Sequence, residues 1–184
     1  MASVRRRGSR VTAALQAEEV RLLQVLTTDL RTLLAEADQD DGLEPDPLEQ
    51  LTGLSSATDA ATAPPSDPAL ARLLPDGYRD DPESAAELRR LTHPEIRNAK
   101  KRTAAHLLEM LPPDGGKVRL EVDDVMAWAA ALNDLRLVLG TRLDISEDIE
   151  PFGGMSPDDP AAAPFAIYHW LTGLQDDLVS TLLH

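Results

Sequence analysis

Asn133, Asp134, Arg136 and Arg142 interrupt the longest apolar segment of the chain, and a carboxylate flanked by guanidinium groups is chemistry that a pocket could use. Gathered around a cavity, such a set could bind a small molecule or move a proton. Strung along a helix, it does something plainer. An Arg in reach of Asp134, or of carboxylates on other elements, ties the helix to its neighbours through charge-assisted hydrogen bonds. We read the four as a structural polar cluster and assign no catalytic residue among them.

The remaining reactive residue types form no motif. His93, His106, His169 and His184 include no pair at metal-ligand spacing on one helix, and none has a carboxylate at a zincin-like offset. The carboxylates at Asp38 to Asp41 and at Asp144 to Glu150 lack the ligand spacing, the Gly and the closing Glu of a calcium loop. Gly115-Gly116-Lys117 lacks the rest of a phosphate loop, and no Ser stands in a Gly-x-Ser-x-Gly elbow. No metal ligand and no cofactor are therefore expected. With no cysteine in the chain, disulfides, thiolate zinc sites, iron–sulfur ligation and an internal thiol switch are excluded, and four Met are the oxidisable sulfur.

In a chain of net charge -14 and pI near 4.6, no Lys or Arg stands between Arg31 and Arg72 or after Arg142, so positive charge is confined to the N-terminal segment and the middle third, where two sets stand out. Arg5, Arg6, Arg7 and Arg10 lie near the start; Arg89, Arg90, Arg97, Lys100, Lys101 and Arg102 lie in the middle. Glu83, Glu87, Glu95 and Glu109 interleave with the middle set, which points to internal neutralisation. The N-terminal set leaves two readings open, contact with a partner protein or nucleic acid and neutralisation of the chain's own carboxylates. An acidic molecule repels phosphate over a Debye length of about 10 Å, which argues against general coating of nucleic acid and leaves local DNA contact open.

Periodicity supplies the elements that position these groups. Val4 to Leu15 reads as a hairpin turning at Gly8-Ser9, with Val11, Ala13 and Leu15 alternating on the return strand. Ala17 to Ala37 carries Val20, Leu23, Leu30 and Leu34 at helical spacing. Asp-Pro pairs at Asp46, Asp67, Asp81 and Asp159 place a capping oxygen before a proline suited to a helix start. They predict one helical turn at Asp46-Pro47-Leu48, a helix from Asp67 to Leu74 and one from Asp81 to Leu91. Thr92 and Glu95 form a capping-box pattern, so a separate helix is expected from His93 to Leu111. Lys117 to Val122 is a third strand, Asp123 caps the helix after it, and Val125, Trp128, Leu132, Leu135 and Leu139 form that helix's apolar stripe. Asn133, Arg136, Gly140 and Thr141 gather opposite the stripe. The order of strand, polar cap and long helix thus occurs twice. After a loop from Phe152 to Asp159, Phe165, Tyr168, Leu171, Leu178 and Leu182 mark a closing helix.

Three blocks resemble a known family. Trp128 with the run Ala131-Leu132-Asn133-Asp134-Leu135-Arg136-Leu137-Val138-Leu139-Gly140-Thr141-Arg142-Leu143, the stretch LARLLPDGYRDDPESAAELRRLT from Leu70 to Thr92, and YHWLTGLQDDLVSTL from Tyr168 to Leu182 are similar to segments of an actinobacterial family long carried as a domain of unknown function. Its members are described as AosR-type oxidative stress transcriptional regulators, with genes that tend to lie near those of a Clp protease adaptor and a metal-dependent peptidase. The resemblance implies a non-enzymatic regulator of oxidative stress transcription that works through protein contacts. A sigma factor or RNA polymerase is the implied partner. The gene neighbours imply an alternative, an accessory factor of Clp-type regulated proteolysis. A small-molecule enzyme or binder ranks below both, since no nucleophile, metal site or phosphate loop stands in the chain.

The expected architecture is mainly α (α+β): a bundle of four to five helices with a small antiparallel sheet from the N-terminal hairpin and one later strand. We expect a single domain over residues 1–184, with an acidic Ser/Thr/Ala/Pro-rich flexible linker at 39–66. The basic start has no apolar run behind it and no stretch approaches the roughly 20 apolar residues that span a bilayer. The expected location is the cytoplasm, with no membrane partner.

Overall fold

Alternation of apolar and polar residues creates the sheet. In the computed structural model, which describes residues 2–8, 10–40, 63–145 and 159–183, strand β1 (Ser3–Arg7) pairs antiparallel with β2 (Arg10–Leu15), and β2 pairs antiparallel with β3 (Gly116–Leu120). The strand order is β1-β2-β3. Gly8 begins the hairpin turn at a φ of 63°, a conformation that glycine adopts without Cβ strain. Val11 lies opposite Arg6 on one side and Leu120 on the other, while Ala13 lies between Val4 and Val118. Because side chains alternate with period two, Val11, Ala13, Leu15 and Leu120 all enter the core from one face. The turn before β3 packs tightly on the junction between β2 and the first helix: a Cβ on Gly115 would lie 2.7 Å from the Ala17 nitrogen.

Five helices follow among the described residues: α1 (Ala17–Asp40), α2 (Pro68–Leu73), α3 (Pro82–Met110), α4 (Val122–Arg142) and α5 (Ala162–Leu182). Helix α4 is the centre, packed against all four others and against β2 and β3. Its predicted stripe is buried at Val125, Trp128, Leu132 and Leu135. The opposite side is covered too, because α5 lies on it. A Cβ on Gly140 would come within 3.2 Å of the Tyr168 ring, so glycine lets the two helices approach there. One apolar cluster, mostly Leu, Ala and Val around Trp128, takes residues from β2, β3 and every helix. With few aromatic residues to use, the core is filled by many small and medium side chains.

Helix boundaries depart from expectation where local signals compete with packing. The two helices expected on either side of Thr92 are one continuous helix, with Pro94 inside it. Thr92 Oγ1 donates to the Leu88 carbonyl at 2.8 Å instead of capping a new start. Proline there removes one backbone donor. Burial of His93, Arg97, Ala104 and Leu107 along one side keeps the helix unbroken. Helix α4 starts one residue before the expected cap Asp123. Glu121 is its N-cap, and Asp124 Oδ2 accepts from the Glu121 nitrogen at 2.9 Å. Two Asp-Pro pairs act as predicted: Asp67 Oδ1 accepts from the Ala69 and Leu70 nitrogens at 2.7 and 3.1 Å, and Asp81 Oδ1 from the Ser84 nitrogen at 3.1 Å. Asp159 accepts from the Ala161 nitrogen at 2.8 Å, one turn ahead of α5. Helix α1 continues to Asp40, into the stretch expected to open the linker. Linker residues 41–62, including Asp46-Pro47-Leu48, lie outside the described residues, as does nearly all of the loop from Phe152 to Asp159. No described helix is long and apolar enough to cross a membrane.

Candidate functional site

The polar residues of α4 point to different neighbours rather than into one pocket. Asp134, whose side chain is 4% exposed, accepts from Lys100 Nζ of α3 at 2.6 Å. Burial pushes its carboxyl above the ordinary range, and the hydrogen bond and charge of Lys100 oppose that rise. Arg136 donates to Gln175 Oε1 of α5 at 2.5 Å and lies 5.4 Å from the Tyr168 ring centroid, a cation–π distance. Gln175 in turn donates to the Ala129 carbonyl at 3.2 Å. Arg142 Nη2 meets Asp67 Oδ2, at the start of α2, at 2.6 Å. Asn133 is half-buried on the same helix. These contacts fasten α4 to three separate helices and bring no acid, base and nucleophile together.

The histidines are likewise apart. His106 Nε2 lies 2.8 Å from Asp124 Oδ1, linking α3 to α4, whereas His169 meets Tyr168 edge-on in α5. His93 is buried in α3. Among the described residues no group of three His, Cys, Asp or Glu is placed to hold a metal ion. The middle basic set is engaged internally at four points. Arg89 pairs with Asp76, Arg90 with Glu87 and Lys100 with Asp134, and Arg97 Nη1 donates to the Ala37 carbonyl.

The N-terminal arginines separate by strand alternation. Arg6 shares the inward-facing register with Val11; it donates from Nε to the Gly8 carbonyl at 2.7 Å and from Nη1 to the Thr181 carbonyl at the end of α5. It thereby satisfies a helix C-terminal carbonyl left without an intrahelical donor. Arg5 and Arg10 are exposed on the opposite, outer face, and Arg7 pairs with Arg10 in the register. Strand β3 adds two cations that sequence reasoning passed over. Arg119 stands in line with Thr12 and Arg5, and Lys117 in line with Ala14 and Ser3. Period-two alternation in Lys117-Val118-Arg119-Leu120 carried that signal, but the pairing of β3 with β2, across a hundred residues of chain, decides where the charges meet.

The outer sheet face is therefore a shallow groove. Thr12 and Ala14 of the middle strand form its floor with Arg10 at the end of that strand, Arg5 stands on one side, Lys117 and Arg119 on the other, and Met110 and Pro112 flank it. Among the described residues that line it, none is acidic or aromatic. Such a surface can hold an anion by charge-assisted hydrogen bonds, and offers nothing to activate a bond for cleavage.

Comparison with known proteins bears on the whole chain. A family model described as "Domain of unknown function (DUF2017)" matches residues 1–182. The proteins named "Oxidative stress regulator AosR" of Mycobacterium bovis and Mycobacterium tuberculosis are each 39% identical over 193 residues, covering 97% of this chain and 84% of their own length. An AosR protein of Mycobacterium leprae is 36% identical over 189 residues, covering 96% of this chain and 84% of its own. No solved structure matches the chain significantly. Along nearly its whole length, then, the chain belongs to the DUF2017 family and is a relative of the mycobacterial AosR proteins.

Proposed function

We propose that this protein is a non-enzymatic, cytoplasmic regulator of oxidative stress transcription that acts by contact with a protein partner, a sigma factor or RNA polymerase. The similarity to the proteins named oxidative stress regulator AosR, over 97% of this chain, carries the reading. The net charge of -14 favours a protein partner over direct attachment to DNA, since phosphate is repelled at long range. Among the described residues no helix is set out as a groove-reading element; the long helices spend their apolar sides on the common core. With no cysteine of its own, the chain has no thiol to read an oxidant. The partner would therefore carry the redox chemistry and this protein would respond to the partner's state.

The test is transcript profiling of a strain lacking the gene, before and after peroxide exposure, with the native gene restored as a control. A set of oxidant-induced transcripts should fail to rise in the deletion strain and recover on restoration. An unchanged profile would sink the regulator reading.

A further inference from the structure

On a molecule this acidic, the outer sheet face is an anomaly: Arg5, Arg10, Lys117 and Arg119 stand on it without a carboxylate among the described residues that line it. We propose that this face is the docking surface for an acidic polypeptide segment of a partner protein, laid extended along β2. The inference rests on the reading above that the protein works through protein contacts, and names the chemistry of the contact.

Three observations select that occupant. The first is shape. Small Thr12 and Ala14 lie on the middle strand, with Arg10 at its end, while Arg5 rises from one outer strand and Lys117 and Arg119 from the other, the two standing about 10 Å apart at the usual strand spacing. That trough has the width of one extended chain, and its guanidinium groups can clamp alternate carboxylates bidentately.

The second is what the face lacks. With no aromatic residue there is no platform for base stacking. A double helix carries a charge every 1.7 Å or so of its axis and extends beyond the face, onto a surface whose net charge is strongly negative. A short acidic segment fits within the basic area and avoids that repulsion.

The third is the position of the chain's own acidic stretch between α1 and α2. Helix α1 rises about 36 Å away from the sheet over its 24 residues, and Asp67 is tied to Arg142 at the far end of α4, whose 21 residues span about 31 Å. Both ends of that stretch leave from the far side of the bundle, so reaching the sheet and returning would take about 70 Å, most of its full extension at about 3.3 Å per residue, and a second molecule is the better source of the acidic segment.

The experiment is a fluorescence anisotropy titration of the full chain against a labelled decaglutamate peptide at about 50 and 200 mM salt, with a short DNA duplex in parallel. The test variant is Arg5→Gln/Arg10→Gln/Arg119→Gln, checked for native helicity. The control is Arg21→Gln/Arg31→Gln on exposed positions of α1. Native protein and control should bind the peptide alike, more weakly at the higher salt, and the test variant about tenfold more weakly or not at all. Equal binding by the test variant, no binding by native protein, or tighter binding of the duplex than of the peptide overturns the proposal. Restoring the deletion strain with the test variant separates the two failures. A full transcript response from a variant that has lost peptide binding removes the docking assignment alone; a deletion without transcript change removes the regulator reading itself.

Discussion

Replacing Lys100 with Met should expose the energetics of the buried Asp134. The Asp134 side chain is 4% exposed and its ammonium partner 19%, so removing the cation leaves a carboxylate with neither water nor charge to balance it. Protonation is its escape. Taking up a proton at pH 7 costs about 1.4 kcal/mol for each unit above the ordinary carboxylate pKa of about 3.9, which caps the loss near 4 kcal/mol. At pH 5 the same limit is about 1.5 kcal/mol. Burial already raises the Asp134 pKa in the native fold, against the opposing pull of Lys100, and losing Lys100 raises it further. A raised folded-state pKa means that stability is retained below the unfolded value and lost as pH rises through the folded one. Lys100→Met should therefore be most damaging at neutral pH and recover on mild acidification. At 2–4 °C per kcal/mol for a chain of this size, the fall in Tm should reach at most roughly 8–16 °C at pH 7 and 3–6 °C at pH 5. Asp134→Asn should be milder, because its amide oxygen still accepts from Lys100 and the charge left without a partner is on the more exposed of the two groups. Thermal unfolding by circular dichroism at the two pH values measures all three. A loss below about 1 kcal/mol at pH 7, or one that does not shrink at pH 5, would refute the reasoning.

Arg6→Ala should lower stability by about 1–2 kcal/mol, since its guanidinium joins the hairpin to the Thr181 carbonyl of α5, while peptide binding to the outer face stays unchanged. Loss of binding with unchanged stability would reverse that assignment. Gly115→Ala combines a φ of +80° with a Cβ placed 2.7 Å from the Ala17 nitrogen, so about 2–4 kcal/mol should be lost in urea unfolding; a loss under about 1 kcal/mol would show that the turn relaxes freely. Asp67→Ala removes the α2 cap and the Arg142 contact together, for about 1–2 kcal/mol at neutral pH. Burial raises the Asp67 pKa, but the hydrogen bond from Arg142 and those from the Leu70 and Ala69 nitrogens outweigh it and hold the group below its ordinary value. Its contribution is thus present above pH 4 or so and lost as pH falls through the lowered folded value. A difference between native and Asp67→Ala that persists unchanged at low pH would contradict this.

Much of the fold was legible because its signals are local. Val11, Ala13 and Leu15 alternate, and Asp67 and Asp81 cap helices that begin at the following prolines. Hydrophobic spacing carried α1 and the α4 stripe. Where Thr92 and Pro94 imitate a helix start, the local pattern was overruled by burial along the whole of α3, information held by its neighbours and not by the segment.

The candidate site divides the same way. Composition alone determined that the chain has no thiol chemistry and a strong negative charge, and residue types located the N-terminal arginines. Only tertiary structure decided their placement. Strand alternation and the contact with Thr181 turned Arg6 inward as a structural tie, and the antiparallel pairing of β2 with β3 set Lys117 and Arg119 across the middle strand from Arg5, on the face that also carries Arg10. The apparent cluster Asn133, Asp134, Arg136 and Arg142 was likewise resolved by packing, because residues adjacent along a helix point in different directions and meet different helices. Charge and chemistry are properties of the chain, but a site exists only where the fold brings distant residues onto one surface.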